Sequence, residues 1–135
     1  MPIHESAKLP ALLFTISIIM GLIVLVVGVT VFSYWIYGEI IYIIVGLMIL
    51  VFSGIGVGRV VRAREIFRVG EACITHGWWV FSSGLGGIMV YIAPFFTKGA
   101  PQMGVIALLS STIAAILGLA TVMYARSKLK VSLTI

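Results

Sequence analysis

Four long stretches of the chain carry no charged side chain and are separated by polar segments. They cover residues 11–33, 40–58, 78–96 and 103–125. A helix needs about 20 apolar residues to cross roughly 30 Å of hydrocarbon. The pattern therefore predicts an all-α membrane protein with four transmembrane helices, in a single domain over residues 1–135.

The connections between these stretches differ in length. Residues 34–39 and 97–102 form short connections, whereas residues 59–77 form a longer and more basic one. Short connections place consecutive helices side by side and antiparallel. The sequence therefore predicts two antiparallel hairpins, joined by a basic loop over 59–77.

Lysine and arginine side chains fall almost entirely on one side of this plan, and only Lys98 falls on the other. Cytoplasmic segments beside membrane spans carry an excess of these residues. The pattern therefore predicts that both termini and the basic loop are cytoplasmic. The residues on that side are Lys8, Arg59, Arg62, Arg64, Arg68, Arg126, Lys128 and Lys130.

Composition supports a membrane protein and argues against a nucleic-acid-binding protein. Hydrophobic residues make up 61% of the chain and charged residues 10%, and the mean hydropathy is +1.24. The net charge of +5 is explained by orientation in the membrane, so no nucleic-acid partner is expected. The sequence has no Asp and no Asn, which is typical of thermophile proteins and equally of Ile- and Val-rich membrane proteins.

Small residues predict where the helices touch. Membrane helices associate by close packing at Gly, Ala, Ser and Thr, because lipid tails are as apolar as Leu. Equal depths in the predicted hairpins pair Gly21 with Ser53, Gly28 with Gly46, Gly87 with Ser111, and Ser83 with Ala115. Further packing positions are the GxxxG pair Gly54 and Gly58, and Gly104, Ala107 and Gly118 in the fourth helix.

The basic loop is the most distinctive polar segment. Arg59, Arg62, Arg64 and Arg68 are predicted to lie on a short interfacial helix that ends at Gly70. Two interpretations remain open: these arginines contact lipid headgroups or an acidic partner, or they only orient the chain in the membrane.

No catalytic, metal or cofactor motif emerges. Cys73 and His76 stand three residues apart without a second pair to complete a zinc site, and the glycine-rich runs lie inside apolar spans rather than after a strand. We therefore expect no cofactor and no enzymatic activity. Cys73 and His76 remain without an assigned role.

Two functions fit these features. The first is a non-catalytic structural or accessory subunit that packs within a larger membrane assembly, or with further copies of itself, through small-residue helix faces. The second is a small oligomeric channel or transporter, whose only deep polar groups are hydroxyls such as that of Ser53. The absence of charge within the spans favours the first.

Overall fold

The computed structural model describes residues 5–30, 36–92 and 101–129, and of residues 36–39, 91–92 and 101–104 the backbone alone. Regular structure in this part of the chain is helical, without a strand. The predicted all-α class with four helices is confirmed. The elements are a 3₁₀ turn at Glu5–Ala7, α1 (Lys8–Thr30), α2 (Ile36–Arg62), α3 (Ile66–Ile92) and α4 (Pro101–Ser127).

Two helix starts contain a proline. Pro10 lies in the first turn of α1, and Pro101 is the first residue of α4. The N–H groups of a first turn have no partner inside the helix, so proline costs no hydrogen bond there. Several predicted segments lie outside the described residues. They are Lys98 with most of the connection 97–102, part of the connection 34–39, and the segment from Lys130 onward.

Three helical segments are long and apolar enough to cross a membrane, which is the mark of an integral membrane protein. They are Glu5–Thr30, Ile40–Arg62 and Val105–Ser127. Helix α3 is not among them in the described part of the chain. Its first three turns carry Arg68, Glu71 and His76, and the last residues of the predicted span 78–96 lie outside the description.

Helices α1 and α2 approach each other closely at glycines. Their contacts run in opposite directions along the two helices, because rising residue numbers in α1 meet falling numbers in α2. The pairs are Phe14 with Gly56, Gly21 with Ile49, and Leu25 with Gly46.

The register of this pair differs from the predicted one by about a helical turn. Gly21 lies against Ile49 rather than Ser53, and Gly46 lies against Leu25 rather than Gly28. Gly28 and Ser53 are nevertheless buried. The predicted pairs have their midpoint at Tyr37, whereas the observed contacts have their midpoint earlier in the chain.

Helices α3 and α4 are equally close. Gly87 lies against Ser111, the pairing expected from the sequence. Ala115 lies against Gly84 instead of Ser83, and the Ser83 hydroxyl donates a hydrogen bond to the Trp79 carbonyl at 2.8 Å.

A Cβ atom on Gly84 would stand 2.6 Å from the Ser111 carbonyl oxygen. One on Gly118 would stand 2.6 Å from both the Gly77 carbonyl oxygen and the Phe81 nitrogen. The two backbones therefore touch without room for a methyl group. Ala107 is buried, and the surroundings of Gly104 lie outside the described residues.

The four helices form a bundle in which each packs chiefly on two neighbours, α1 and α3 both contacting α2 and α4. Phe52 of α2 stacks on Trp79 of α3 with ring centroids 5.0 Å apart. The Tyr124 hydroxyl of α4 donates to the Ser6 carbonyl at 3.0 Å. This contact brings the start of α1 to the same end of the bundle as the end of α4.

Candidate functional site: an arginine cleft at the α2–α3 turn

The connection between α2 and α3 is a tight turn at this same end of the bundle. Helix α2 ends at Arg62 and α3 begins at Ile66, so only residues 63–65 lie outside the helices. The Ala63 N–H donates to the Val60 carbonyl at 3.4 Å, and the Val69 N–H donates to the Glu65 carbonyl at 3.2 Å. Glu65 therefore supplies the carbonyl that begins α3.

The predicted helix end at Gly70 is wrong, because α3 runs through Gly70 to Ile92. Gly70 is buried beside Val69 and Ala72, which are both fully buried. Packing against the bundle outweighs the low helix propensity of glycine at this position. The basic residues therefore lie on the ends of two long helices rather than on one short interfacial helix.

This turn encloses an open cleft of about 380 Å³, which we call the arginine cleft. It brings together all four arginines that the sequence singled out. Its lining residues are Arg59, Arg62, Ala63, Arg64, Glu65 and Arg68.

Arg59 is held in place from α3. Its Nη1 donates to His76 Nε2 at 3.2 Å, and its Nη2 lies 3.7 Å from Glu71 Oε1. A guanidinium has no acceptor, so His76 Nε2 must accept and the ring proton lies on Nδ1. Burial, and then the charge of Arg59, lower the pKa of His76 below its usual value, which agrees with a neutral ring.

Positive charge dominates the cleft. Four guanidinium groups line or border it, against the carboxylates of Glu65 and Glu71. Arg62 and Arg68 are exposed at its rim. The site is suited to binding an anion, because guanidinium groups present paired N–H donors to phosphate or carboxylate oxygens.

Exposed apolar side chains flank the lining residues of the cleft in the sequence. Phe67 is 52% exposed and Ile66 is 48% exposed, both in the first turn of α3. Val61 is exposed in the last turn of α2. The apolar segment Ile40–Arg62 ends at the cleft, so a membrane crossed by α2 would place the cleft at the level of the headgroups.

The Cys73 thiol is not a candidate reactive group. It is fully buried, and burial raises its pKa to about 12. A thiol that stays protonated is a weak nucleophile and metal ligand. Within the described residues, His, Cys, Asp and Glu side chains form no group of three that would hold a metal ion.

Sequence reasoning missed the contact between Arg59 and His76. The two residues are 17 positions apart, and they meet only because α2 and α3 reverse direction within residues 63–65. It also missed the close approaches at Gly77 and Gly84, although these share one face of α3 with Gly87 at helical spacing.

Compared with models of protein families, with curated proteins and with solved structures, the chain matches none of them.

Proposed function

We propose that the chain is a non-catalytic structural subunit of a membrane assembly, in which the outer face of α2 packs on a transmembrane helix of another chain. The observation that carries this proposal is the open space beside Gly54 and Gly58. A Cβ on either glycine would have no atom of the described chain within 4 Å. The outer face comprises Ile44, Leu47, Val51, Gly54 and Gly58, spaced three or four residues apart.

Contrast with the other glycines supports this assignment. Gly21, Gly46 and Gly56 lie tightly against a neighbouring helix of the same chain. A GxxxG pair lets two membrane helices approach until their backbones touch. Gly54 and Gly58 have this spacing and face outward, so the helix that would use them belongs to another molecule, either a different subunit or a second copy of this chain.

The proposed membrane arrangement follows the distribution of charge. All four helices cross the membrane as two antiparallel hairpins, α1 with α2 and α3 with α4, with both termini cytoplasmic. In support, Arg59, Arg62, Arg68 and Arg126 lie at one end of the bundle, where Arg126 sits 5.9 Å from the centre of the Trp78 ring. Basic residues and interfacial aromatic rings are typical of the cytoplasmic boundary.

Isolation from native membranes in mild detergent tests the proposal. We expect the wild-type chain to migrate in a stoichiometric complex larger than itself, and Gly54→Leu with Gly58→Leu to release it. Ala120→Leu is the matched control, because Ala120 is an exposed small residue on α4. A wild-type chain that migrates alone, or an equal effect of the control, would contradict the proposal.

A second function, a small oligomeric channel or transporter, has one observation in its favour. The hydroxyls of Ser53 and Ser111 are fully buried, with no hydrogen-bond partner among the described residues. Deep polar groups are the usual lining of a pathway across a membrane. Reconstitution of the pure chain in liposomes distinguishes the two functions: solute or ion flux that Ser53→Ala abolishes would favour the channel.

A further inference from the structure

The arginine cleft combines an anion-binding pocket with an apolar border, and this combination identifies a class of ligand. We propose that the cleft binds the phosphate group of an anionic phospholipid. The proposal is independent of the outer face of α2, since the two features involve different residues. The outer face requires a helix of another chain, whereas the cleft requires none.

Charge and geometry supply the anion preference. Arg59 is fixed by His76 and Glu71, so its guanidinium is already oriented when a ligand arrives and loses little conformational freedom. Arg62 and Arg68 come from the two helices that flank the turn. The first N–H groups of α3 open toward the same turn and add favourable dipoles for a negative group.

Position in the bundle favours a lipid over a soluble anion. The cleft lies where the apolar segment Ile40–Arg62 ends. In a membrane crossed by α2, as proposed above, that is the depth of the lipid phosphates. Phe67 and Ile66, half exposed beside it, offer apolar contact to the glycerol and the upper acyl chain. A free phosphate ion has no apolar part that would cover these side chains.

The size of the cleft agrees with a headgroup. At about 380 Å³, it falls in the lower part of the range for small-molecule sites, roughly 300–1,000 Å³. This volume admits a phosphodiester with its glycerol or a small headgroup alcohol, while the acyl chains remain along α2 and α3.

Two charge-removing variants separate a specific site from diffuse attraction. Arg62→Gln with Arg68→Gln removes two charges from the cleft. Arg126→Gln with Lys128→Gln removes two charges from the same end of the bundle outside the cleft. Each variant is first measured in nanodiscs of phosphatidylcholine, where its melting curve must match that of the wild-type protein.

Phosphatidylglycerol is the probe, measured by native mass spectrometry of retained lipid and by the shift in melting temperature. We expect wild-type protein to retain phosphatidylglycerol in preference to phosphatidylcholine. The cleft variant should lose about tenfold in relative retention, and the control variant should stay near wild type. Gly54→Leu with Gly58→Leu should also bind as wild type, so a failure of the subunit proposal leaves this one standing.

Three outcomes would overturn the proposal. The first is equal loss in the cleft and control variants, which would mean diffuse attraction to the membrane surface. The second is protection by inorganic phosphate, at matched ionic strength, as strong as that by the lipid. If the glutamine variant does not fold, Arg62→Lys with Arg68→Lys replaces it. A partial loss of lipid retention in the lysine variant supports recognition by guanidinium groups. Lipid retention equal to wild type is the third contrary outcome.

Discussion

On the inner side of α2, Gly46 and Gly56 lie against Leu25 and Phe14 of α1, whereas on its outer side Gly54 and Gly58 meet no atom of the described chain. All four are helical glycines within one apolar segment. Glycine costs a helix stability relative to alanine, and close packing offsets that cost at the inner positions. At the outer positions nothing among the described residues offsets it, and this difference supports the proposed contact with another molecule.

Gly46→Ala tests the inner side most severely. The new Cβ would stand 2.6 Å from the Leu25 nitrogen and 2.8 Å from its Cα. Backbone cannot turn aside as a side chain does, so α1 and α2 must separate. We expect a loss of about 2–3 kcal/mol in the free energy of unfolding, measured by titration from mild detergent into SDS. Equal free energies of unfolding for Gly46→Ala and Gly54→Ala would contradict the distinction between the two sides.

Gly56→Ala is expected to have a smaller effect on the same side. Its Cβ would lie 2.9 Å from the Phe14 ring, and the ring can shift where a backbone cannot. We expect a loss of about 1 kcal/mol. Combining it with Phe14→Leu should recover part of that loss, as coupled neighbours do in a double-mutant cycle. Strict additivity would show that the two residues do not contact.

Gly54→Ala and Gly58→Ala should change stability in the opposite direction. A methyl group at either position meets open space and raises helix propensity, so we expect each isolated chain to gain up to about 0.5 kcal/mol. The same SDS titration measures it, with Gly46→Ala as the contrasting variant. Marked destabilisation of the isolated chain would place these glycines in an intramolecular contact.

The smallest effect is a dependence of stability on pH through His76, which contacts the inner side of α2 at Arg59. The pKa of His76 is lowered in the folded protein from 6.5, so the unfolded chain binds the proton more readily. Stability is therefore complete above about pH 6.5 and declines as the pH falls below that value toward the lower folded pKa. Unfolding midpoints measured between about pH 8 and pH 5.5 should show this decline.

His76→Gln provides the control for the pH dependence, because glutamine can still accept a hydrogen bond from Arg59 but does not titrate in this range. The decline should be absent from this variant. An unchanged decline in His76→Gln would assign it to another group.

The sequence predicted the helices of the bundle because the thickness of the membrane sets the length of each uncharged stretch. It also predicted that small residues mark close approach, and Gly87 does lie against Ser111. It could not predict the register of α1 on α2, because it assumed that small residues face one another, whereas Gly46 lies against Leu25 and Gly56 against Phe14. For the same reason it could not tell the inward Gly46 from the outward Gly54.

The arginine cleft was harder to foresee than its individual residues. Sequence placed Arg59, Arg62, Arg64 and Arg68 together, but as a helical face in a long loop. The cleft exists because α2 continues to Arg62 and α3 begins at Ile66, so the arginines surround a turn of three residues. Helix ends of this kind depend on tertiary packing, here on burial of Val69 and Gly70, which local propensity does not report.

The hydrogen bond from Tyr124 to Ser6 joins residues 118 positions apart, and this separation imposes an order of events during synthesis. The turn that precedes α1 leaves the ribosome before its partner in α4, which emerges only after α1, α2 and α3 have been made. One flank of α1 therefore stays uncovered until α4 has been made. Quality-control proteases that recognise uncovered membrane helices would have this interval in which to remove incomplete chains.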